Sequence, residues 1–303
     1  MPKSAVLFPG QGAQTVGMAK AVCDRLPTAR ALFDAARDAL GFDLLAVCAT
    51  GPAERLNATD ISQPALYVAG LAALELIKSE QPRALDDCVA AAGLSLGEYT
   101  ALTFVGTLDF VDGLKVVQVR GQAMQAAALA TPGAMCSVIG PDVAAVEEVC
   151  SAAHEQSHSI VQVANLLCPG NTVMSGAVAG IERAEAIAAE KGYRTVRLPV
   201  AGAFHTELMK PADEKLARAL ANVELKPARI PVWSNVDAKP HTDPRELKEL
   251  LVKQVLSPVR MEESLRGLIA GGVGQFYELG PGKVLAGLMK RIDRKMPCTN
   301  VSV

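Results

Sequence analysis

The sequence predicts an α/β fold with a parallel sheet, and three observations support that prediction. In the first third of the chain, short apolar runs alternate with helical segments, as in a parallel sheet covered on both faces. A Gly-x-Ser-x-Gly pentapeptide at 93–97 stands between an apolar run and a helical segment. Residues 131–200 follow the order strand, helix, strand, strand, helix, strand. We therefore expect an α/β-hydrolase-like large subdomain at 1–130 and 201–303, and an inserted ferredoxin-like small subdomain at 131–200.

The first part of the large subdomain is predicted from its apolar runs and the turn residues that bound them. A strand at 4–8 enters a glycine-rich turn at 9–14, which lacks the spacing of a phosphate-binding loop. A second strand begins at Cys88 and leads into the pentapeptide. Residues 50–60 read as a polar connection. Helices are expected at 15–40, 63–80, from about Glu98, and at 108–128.

The predicted insert begins after Thr131-Pro132-Gly133, which ends the preceding helix. Its expected elements are a strand at 134–140, a helix at 143–153, strands at 160–164 and 173–176, a helix at 179–190 and a strand at 194–200. The large subdomain then resumes with a long helix to 223, a strand at 230–235, helices at 244–254 and from 261, a strand at 274–279, and a helix from 283.

Composition excludes several classes of protein. The formal net charge of -2 gives no general attraction to nucleic acid or to anionic membranes. No apolar run approaches the roughly 18 residues of a membrane span. The seven cysteines are odd in number and lack C-x-x-C spacing, which favours reduced thiols and argues against a zinc site. We therefore expect neither nucleic acid, membrane nor metal among the partners.

The pentapeptide makes Ser95 the candidate nucleophile. Glycines on both sides of a serine allow a strand and a helix to pack closely around a strained turn, and the serine hydroxyl then projects from the edge of the sheet. Two glycines around a serine also occur in ordinary turns, so the flanking strand and helix carry the prediction. A serine hydroxyl needs a base within hydrogen-bond reach to attack a carbonyl near neutral pH.

Of the four histidines, His205 is the candidate base because it follows an apolar segment at the point where the large subdomain resumes. A histidine beside apolar residues is also commonly a core or cap residue. No acid between Ser95 and His205 is singled out as the third member of a triad, since Asp109 and Asp112 open a helix as caps and Asp142 stands in a turn. A Ser-His dyad whose histidine is oriented by a main-chain carbonyl is the alternative.

Arg120 is the candidate group for recognising the substrate. On the helix predicted at 108–128, Val116, Arg120 and Met124 share one face, so the guanidinium projects into an apolar stripe. Two interpretations remain open at this point. The side chain either extends to water or pairs with an acid, or it is held in a dry cleft to bind a substrate carboxylate through two hydrogen bonds.

Eight segments in series resemble the malonyl-CoA:acyl carrier protein transacylases and cover nearly the whole chain. They are FPGQGAQ (8–14), GLSLGEYTAL (93–102), VRGQAMQ (119–125), ANLLCPGN (164–171), GAFHT (202–206), SNVDAKPH (234–241), QVLSPVR (254–260) and ELGPGKVLAGLMKR (278–291). The forms GLSLGE and ANLLCPGN look most like the plastid-type enzymes of plants and algae.

The resemblance implies a role for each matching site residue. Ser95 and His205 would be catalytic, the backbone N–H groups of Gln11 and Leu96 would form the oxyanion hole, and Arg120 would bind the malonyl carboxylate. The remaining substrate-binding positions that it implies are Asn165, Phe204 and Gln254, the last from the segment whose carbonyl orients the histidine.

Two positions depart from the common bacterial pattern. Leu94 replaces a histidine before the serine, and Leu167-Cys168 replaces an Asn-Ser pair.

The implied activity is ping-pong transfer of a malonyl group from malonyl-CoA to the phosphopantetheine thiol of acyl carrier protein in fatty acid biosynthesis. The implied partners are acyl carrier protein and malonyl-CoA, with no cofactor beyond that substrate. A serine thioesterase or esterase and a stand-alone polyketide synthase acyltransferase are the alternatives. We expect the protein to be a monomer. We expect it in the chloroplast stroma, in which case its transit peptide is absent from this sequence; the alternative is the bacterial cytoplasm.

Overall fold

The computed structural model describes residues 2–200 and 202–303, so Met1 and Ala201 lie outside the description. Within these residues the chain forms two sheets with helices packed around them. The strands are β1 (Ser4–Phe8), β2 (Cys88–Gly93), β3 (Gly133–Ile139), β4 (Val161–Cys168), β5 (Asn171–Ala177), β6 (Arg194–Arg197), β7 (Val232–Trp233), β8 (Pro240–His241), β9 (Val259–Arg260), β10 (Gln275–Leu279) and β11 (Cys298–Val301).

The α-helices of the described chain surround the first sheet and cover the second. They are α1 (Lys20–Arg25), α2 (Pro27–Leu40), α3 (Leu44–Thr50), α4 (Ala53–Asn57), α5 (Thr59–Glu80), α6 (Gly97–Phe104), α7 (Phe110–Ala130), α8 (Val143–Ser157), α9 (Val178–Glu190), α10 (Ala212–Ala221), α11 (Pro244–Gln254), α12 (Met261–Ala270) and α13 (Val284–Ile292). A short 3-10 helix lies at Glu207–Met209.

The first sheet, as described, has the strand order β11-β10-β1-β2-β7-β8 and is parallel apart from the β7–β8 pair. Its central strand β1 is buried along its whole length, as expected for an apolar strand in the middle of a parallel sheet. The predicted α/β class with a parallel sheet is therefore confirmed. The carboxyl ends of β1, β2 and β7 lie side by side, which places the turns after them at one edge.

The second sheet has the strand order β6-β3-β5-β4-β9. Neighbours among β3 to β6 are antiparallel, which is the ferredoxin-like arrangement expected for this order of elements. The fifth strand, β9, comes from the C-terminal part of the chain and pairs in parallel with β4. The subdomain limits at 1, 130/131, 200/201 and 303 stay a prediction, and Met1 and Ala201 lie outside the described residues.

Several predicted elements are shorter or more broken than expected, and proline accounts for two of the breaks. The helix predicted at 15–40 is two helices because Pro27 starts α2, and the helix predicted to end at 223 is divided before α10 at Pro211. The polar connection at 50–60 contains α4, and the strand predicted at 230–235 is only β7. No sequence pattern indicated α3, β8, β9 or β11.

Candidate active site

The turn between β2 and α6 places Ser95 at the carboxyl edge of the first sheet. Ser95 has φ 50°, in the left-handed region that residues with a side chain rarely adopt. The close packing allows no side chain at the flanking glycines. A Cβ at Gly93 would lie 1.9 Å from the carbonyl carbon of Gly97, and one at Gly97 would lie 2.1 Å from the carbonyl oxygen of Phe8. The pentapeptide therefore forms the strained strand-turn-helix connection that was predicted.

Asn235 holds this strained turn in place from the neighbouring strand. The backbone N–H of Ser95 donates to Asn235 Oδ1 at 2.7 Å, and Asn235 Nδ2 donates to the Gly93 carbonyl at 2.7 Å. Asn235 is fully buried and follows β7, whose carboxyl end lies beside that of β2. The sequence contained this residue in SNVDAKPH, but nothing in its pattern singled it out.

His205 lies between the serine and a main-chain carbonyl. Its Nε2 is 2.9 Å from Ser95 Oγ, and its Nδ1 is 2.9 Å from the carbonyl oxygen of Gln254. Because a carbonyl oxygen only accepts, the proton resides on Nδ1 and the Nε2 lone pair faces the hydroxyl. Burial, together with the charge of Arg120, lowers the pKa of His205 to about 4. The imidazole is thus neutral at pH 7, in the form that accepts a proton.

The acids considered as a third member lie elsewhere. Asp109 accepts from the N–H of Val111, and Asp142 accepts from the N–H of Ala145, so both cap helices. In the described residues the partner of His205 Nδ1 is the carbonyl of Gln254, not a carboxylate. The geometry is that of a serine and a histidine oriented by the main chain.

Arg120 projects from α7 into the site and is only 1% exposed. Its Nη2 donates to Ser95 Oγ at 2.9 Å and to Gln254 Oε1 at 3.0 Å, and its Nη1 donates to Gln63 Oε1 at 2.8 Å. The guanidinium carbon lies 5.3 Å from the centre of the Tyr99 ring. The side chain does not extend to water, and all its hydrogen-bond partners in the described chain are uncharged.

The charge of Arg120 is therefore incompletely satisfied within the protein. Its Nε is buried and has no hydrogen-bond partner among the described residues. Burial lowers the pKa of the guanidinium, although arginine stays protonated under ordinary conditions. Arg120 lines the cavity beside Ser95, so a carboxylate that enters there can replace the neutral acceptors of the guanidinium and pair with it through two parallel hydrogen bonds.

Gln254 connects the base, the arginine and the turn. Its carbonyl oxygen faces His205, its Oε1 accepts from Arg120, and its Nε2 donates to the Ser95 carbonyl at 3.1 Å and to Glu98 Oε2 at 2.7 Å. Glu98 is fully buried at the start of α6. Residues that sequence reasoning missed at this site are Gln63, Glu98, Tyr99 and Asn235. Glu98 and Tyr99 stand within GLSLGEYTAL and Asn235 within SNVDAKPH, but Gln63 lies outside all eight motifs.

A cavity of about 70 Å³ opens beside Ser95 between the two sheets. Its lining combines the catalytic candidates with an apolar wall and is made of Gln11, Leu94, Ser95, Leu96, Arg120, Met124, Met135, Asn165, Leu198, Val200, Phe204 and His205. All predicted site residues except Gln254 line this cavity. Gln254 is hydrogen-bonded to two of the lining residues, Arg120 and His205. The structure thus brings the whole predicted set together.

The remaining predicted positions differ in their surroundings. The side chain of Gln11 donates to Thr59 Oγ1 at 3.3 Å, and Leu96 is buried directly after Ser95. Asn165 lies on β4 with its Oδ1 buried and without a partner in the described residues, and Phe204 is 5% exposed beside His205. Cys168 packs in an apolar cluster, and burial raises the pKa of its thiol, so its surroundings are those of a core residue.

The described residues contain neither a cluster of metal-binding side chains nor a helix that could span a membrane. No group of three or more His, Cys, Asp or Glu side chains in residues 2–200 and 202–303 is placed to hold a metal ion. Within the same ranges, no helix combines the length and the apolar character that crossing a membrane requires.

A strained serine on a strand-turn-helix connection, a neutral histidine beside it and a second sheet over the cleft define the class of serine-dependent acyl-transfer proteins. The acyl transferase domain family matches residues 6–299. The chain is 44% identical to the malonyl CoA-acyl carrier protein transacylase of Bacillus subtilis, over 100% of this chain and 94% of that protein. The chain belongs to the family of malonyl-CoA:acyl carrier protein transacylases.

Solved structures agree with this assignment. The acyl-carrier-protein S-malonyltransferase of Bartonella henselae superimposes with a TM-score of 0.94 at 36% identity, covering 99% of this chain and 95% of that chain. A malonyl-transacylase solved in complex with a type II polyketide synthase acyl-carrier protein superimposes with a TM-score of 0.93 at 36% identity. The superposition covers 99% of this chain and 96% of that chain.

Proposed function

We propose that this enzyme transfers a malonyl group from malonyl-CoA to the phosphopantetheine thiol of acyl carrier protein, for fatty acid biosynthesis. The observation that carries the proposal is Arg120, a buried cation whose hydrogen-bond partners in the described residues are neutral and whose Nη2 lies 2.9 Å from Ser95 Oγ. An acyl group that ends in a carboxylate supplies an anion in direct contact with the guanidinium, which its hydrogen-bond partners in the described residues do not. An acyl group without one leaves the guanidinium incompletely paired, so the site favours malonyl over acetyl.

The first half-reaction acylates the serine. His205 Nε2 takes the proton of Ser95 Oγ while the oxygen attacks the thioester carbon of malonyl-CoA, giving a tetrahedral oxyanion. The main-chain carbonyl of Gln254 accepts from Nδ1–H and so stabilises the imidazolium that forms. When the C–S bond breaks, His205 returns the proton to the leaving thiolate, and CoA departs with a free thiol.

The second half-reaction reverses these steps with a different thiol. His205 removes the proton from the phosphopantetheine thiol, whose sulfur attacks the malonyl-serine carbonyl, and the proton returns to Ser95 Oγ as the ester bond breaks. Arg120 stays on the carboxylate throughout and keeps the acyl group aligned. Apolar walls that include Met124, Met135 and Phe204 disfavour water in the cleft, which limits hydrolysis of the ester.

The other site residues receive roles consistent with their positions. The backbone N–H groups of Gln11 and Leu96 form the oxyanion hole, since both residues line the cavity and lie on the turns after β1 and β2. Asn165 and Phe204 line the substrate side of the cleft, and Gln254 supports Arg120. Ser95 and His205 act as a dyad. The chemistry uses neither a metal nor a bound cofactor, and the working unit is a monomer.

Fatty acid and polyketide synthesis use carrier proteins of the same kind, and the superposition on a transacylase bound to a polyketide carrier keeps polyketide synthesis as a second candidate. For location, the forms GLSLGE and ANLLCPGN support a plastid-type enzyme of the chloroplast stroma. The Bacillus subtilis relative supports the bacterial cytoplasm instead. Fractionation of the source cells decides between the two, and a source without plastids overturns the first.

Incubation with malonyl-CoA and a holo carrier protein tests the activity directly. We expect malonyl-carrier protein to accumulate much faster than free malonate, because the carrier thiol and not water accepts the acyl group. The reverse ratio would make the protein a thioesterase. Matched incubations compare a fatty acid carrier protein with a polyketide carrier protein. The carrier that is loaded with the higher kcat/KM identifies the pathway.

A further inference from the structure

Glu98 is a buried carboxylate beside the site that the mechanism above does not use. It stands in the first turn of α6 and is 0% exposed. Its Oε2 accepts from the backbone N–H of Asn235 at 3.0 Å and from Gln254 Nε2 at 2.7 Å, whereas its Oε1 has no partner among the described residues. A buried charge is costly, and burial raises the pKa of Glu98 to about 7.

The contacts of Gln254 leave only one orientation for its side-chain amide. The Ser95 carbonyl and the carboxylate of Glu98 accept hydrogen bonds, so the donor end Nε2 must face them. Arg120 only donates, so the acceptor end Oε1 must face Nη2. Glu98 thus sits at one end of a chain of contacts that ends on the guanidinium.

Without the acceptor at position 98, this orientation loses its shortest hydrogen bond. The Ser95 carbonyl at 3.1 Å and Asn235 Oδ1 at 3.4 Å would remain as acceptors of Nε2, but the contact to Glu98 at 2.7 Å would be gone. A rotated amide would point its NH₂ group at Arg120 and repel it. The guanidinium edge that faces the cleft would then shift away from the position in which it meets a carboxylate.

We infer that Glu98 is a positioning residue that acts through the Gln254 amide to fix the guanidinium of Arg120 for the malonyl carboxylate. The inference rests on the proposed function, and it assigns to Glu98 a part in selecting malonyl over acyl groups without a carboxylate. The same carboxylate oxygen also supports Asn235, so the test must separate selectivity from support of the turn.

The test compares Glu98→Gln with Glu98→Met, two side chains of similar length with and without an acceptor. Acylation of Ser95 by malonyl-CoA and by acetyl-CoA is measured for each variant, and the ratio of the two kcat/KM values is the readout. We expect Glu98→Met to lower this ratio about tenfold, mainly through the malonyl KM, and Glu98→Gln to restore it to within about threefold of the wild type. If the role of Glu98 is purely structural, the kcat/KM values for malonyl-CoA and acetyl-CoA fall by the same factor.

The matched control is Glu278, a second fully buried glutamate whose carboxylate accepts from the N–H groups of Leu285 and Ala286 at the start of α13. Glu278→Met loses buried hydrogen bonds in the same way but has no path to Arg120, so we expect lower stability with an unchanged ratio. If Glu98→Met does not fold, Glu98→Asp is used instead. Its side chain is one methylene shorter, which moves the carboxylate away from Gln254, so we again expect a lower ratio of the two kcat/KM values.

Three outcomes overturn the inference: an unchanged ratio in folded Glu98→Met or Glu98→Asp, equal losses with both substrates, or a Glu98→Gln variant as impaired as Glu98→Met. The wild-type enzyme in the same assay keeps the two proposals distinct. If the wild type is not acylated by malonyl-CoA, the proposed function fails. If it is acylated and the variants behave alike, only the assignment of Glu98 fails.

Discussion

At the scale of single residues, the proposed selectivity for malonyl depends on one buried cation. Arg120 is 1% exposed, its Nε has no partner in the described residues, and its other donors meet neutral oxygens. A guanidinium held in this way gains most from a ligand with a carboxylate. Its contact with Ser95 Oγ places the group proposed to select the acyl chain beside the atom proposed to receive it.

Replacing this cation tests the assignment. We expect Arg120→Ala to lower malonyl-CoA kcat/KM by about 10²-fold or more, because two charge-assisted hydrogen bonds are lost, while the relative activity on acetyl-CoA rises. Arg120→Lys serves as the control, because it keeps the charge but not the paired donors of the guanidinium. We expect it to lose an intermediate part of the kcat/KM for malonyl-CoA. Steady-state kinetics with both thioesters provide the measurement, and equal losses on both would mean that the arginine is structural.

The protonation state of His205 gives a second prediction at this scale. Because burial lowers its pKa to about 4, the imidazole stays neutral down to that pH, and its base form is lost only below it. We expect the acid limb of kcat/KM for malonyl-CoA to have an apparent pKa near 4, with circular dichroism used to exclude unfolding. A limb near the ordinary histidine value of about 6.5 that persists in Glu98→Gln, which removes the other buried group titrating in this range, would show that the histidine is accessible to water.

The residues that the sequence could single out are those with an unusual chemical type in an informative place. Ser95, His205 and Arg120 were of this kind. Asn235 and Gln63 could not be found from a pattern, because their importance comes from contacts across the chain, such as that of Ser95 N–H with Asn235 Oδ1. The choice between an exposed and a buried Arg120 also required the structure, since a helical stripe does not show what covers it.

At the scale of elements, the connection between β2 and α6 depends on the absence of side chains at two positions. We expect Gly93→Ala to cost about 4 kcal/mol or more of unfolding free energy, because its Cβ would lie 1.9 Å from the carbonyl carbon of Gly97 and the backbone must shift. Gly287→Ala is the matched control, since a Cβ there meets nothing within 4 Å and the position is helical.

Urea denaturation of the two variants and the wild type measures the difference. Gly287→Ala is expected to be neutral or stabilising, and Gly93→Ala strongly destabilised or insoluble. A Gly93→Ala protein as stable and active as Gly287→Ala would contradict the close approach of strand and helix on which the placement of Ser95 depends.

Elements were predicted correctly where the local sequence pattern determines the structure. They were missed where pairing with a distant segment determines it. The helix predicted at 244–254 matches α11, which Asp243 caps and Pro244 starts. The two-residue strands β8 and β9 could not be predicted, because they are strands only through pairing with β7 and β4. Pro27 and Pro211 were visible signals for the helix breaks that the longer helical predictions ignored.

At the scale of the whole molecule, the two sheets share hydrophobic contacts, although the second sheet also packs a buried cluster of its own against α8 and α9. One buried cluster joins Leu7 of β1 and Ala92 of β2 to Cys168 of β4 and Val259 of β9. The strand β9 itself belongs to the second sheet although it lies far along the chain from β3 to β6. An insert defined only by sequence order therefore understates how closely the two parts are joined.

This continuity predicts a single cooperative unfolding transition. Trp233, the only tryptophan of the sequence, lies on β7 of the first sheet, so its fluorescence follows that sheet, whereas far-UV circular dichroism follows all elements. We expect the two signals to give coincident midpoints in urea. Separate midpoints would show that the second sheet unfolds independently.

Transfer through a malonyl-serine is tested by mass spectrometry of the intact enzyme and its peptides after brief exposure to malonyl-CoA. We expect one malonyl group on the peptide that contains Ser95, none on the Ser95→Ala variant, and loss of the group to the carrier thiol when holo carrier protein is added. An enzyme that stays unmodified, a malonyl group on another residue, or an adduct that water removes and the carrier does not would rule out transfer through Ser95.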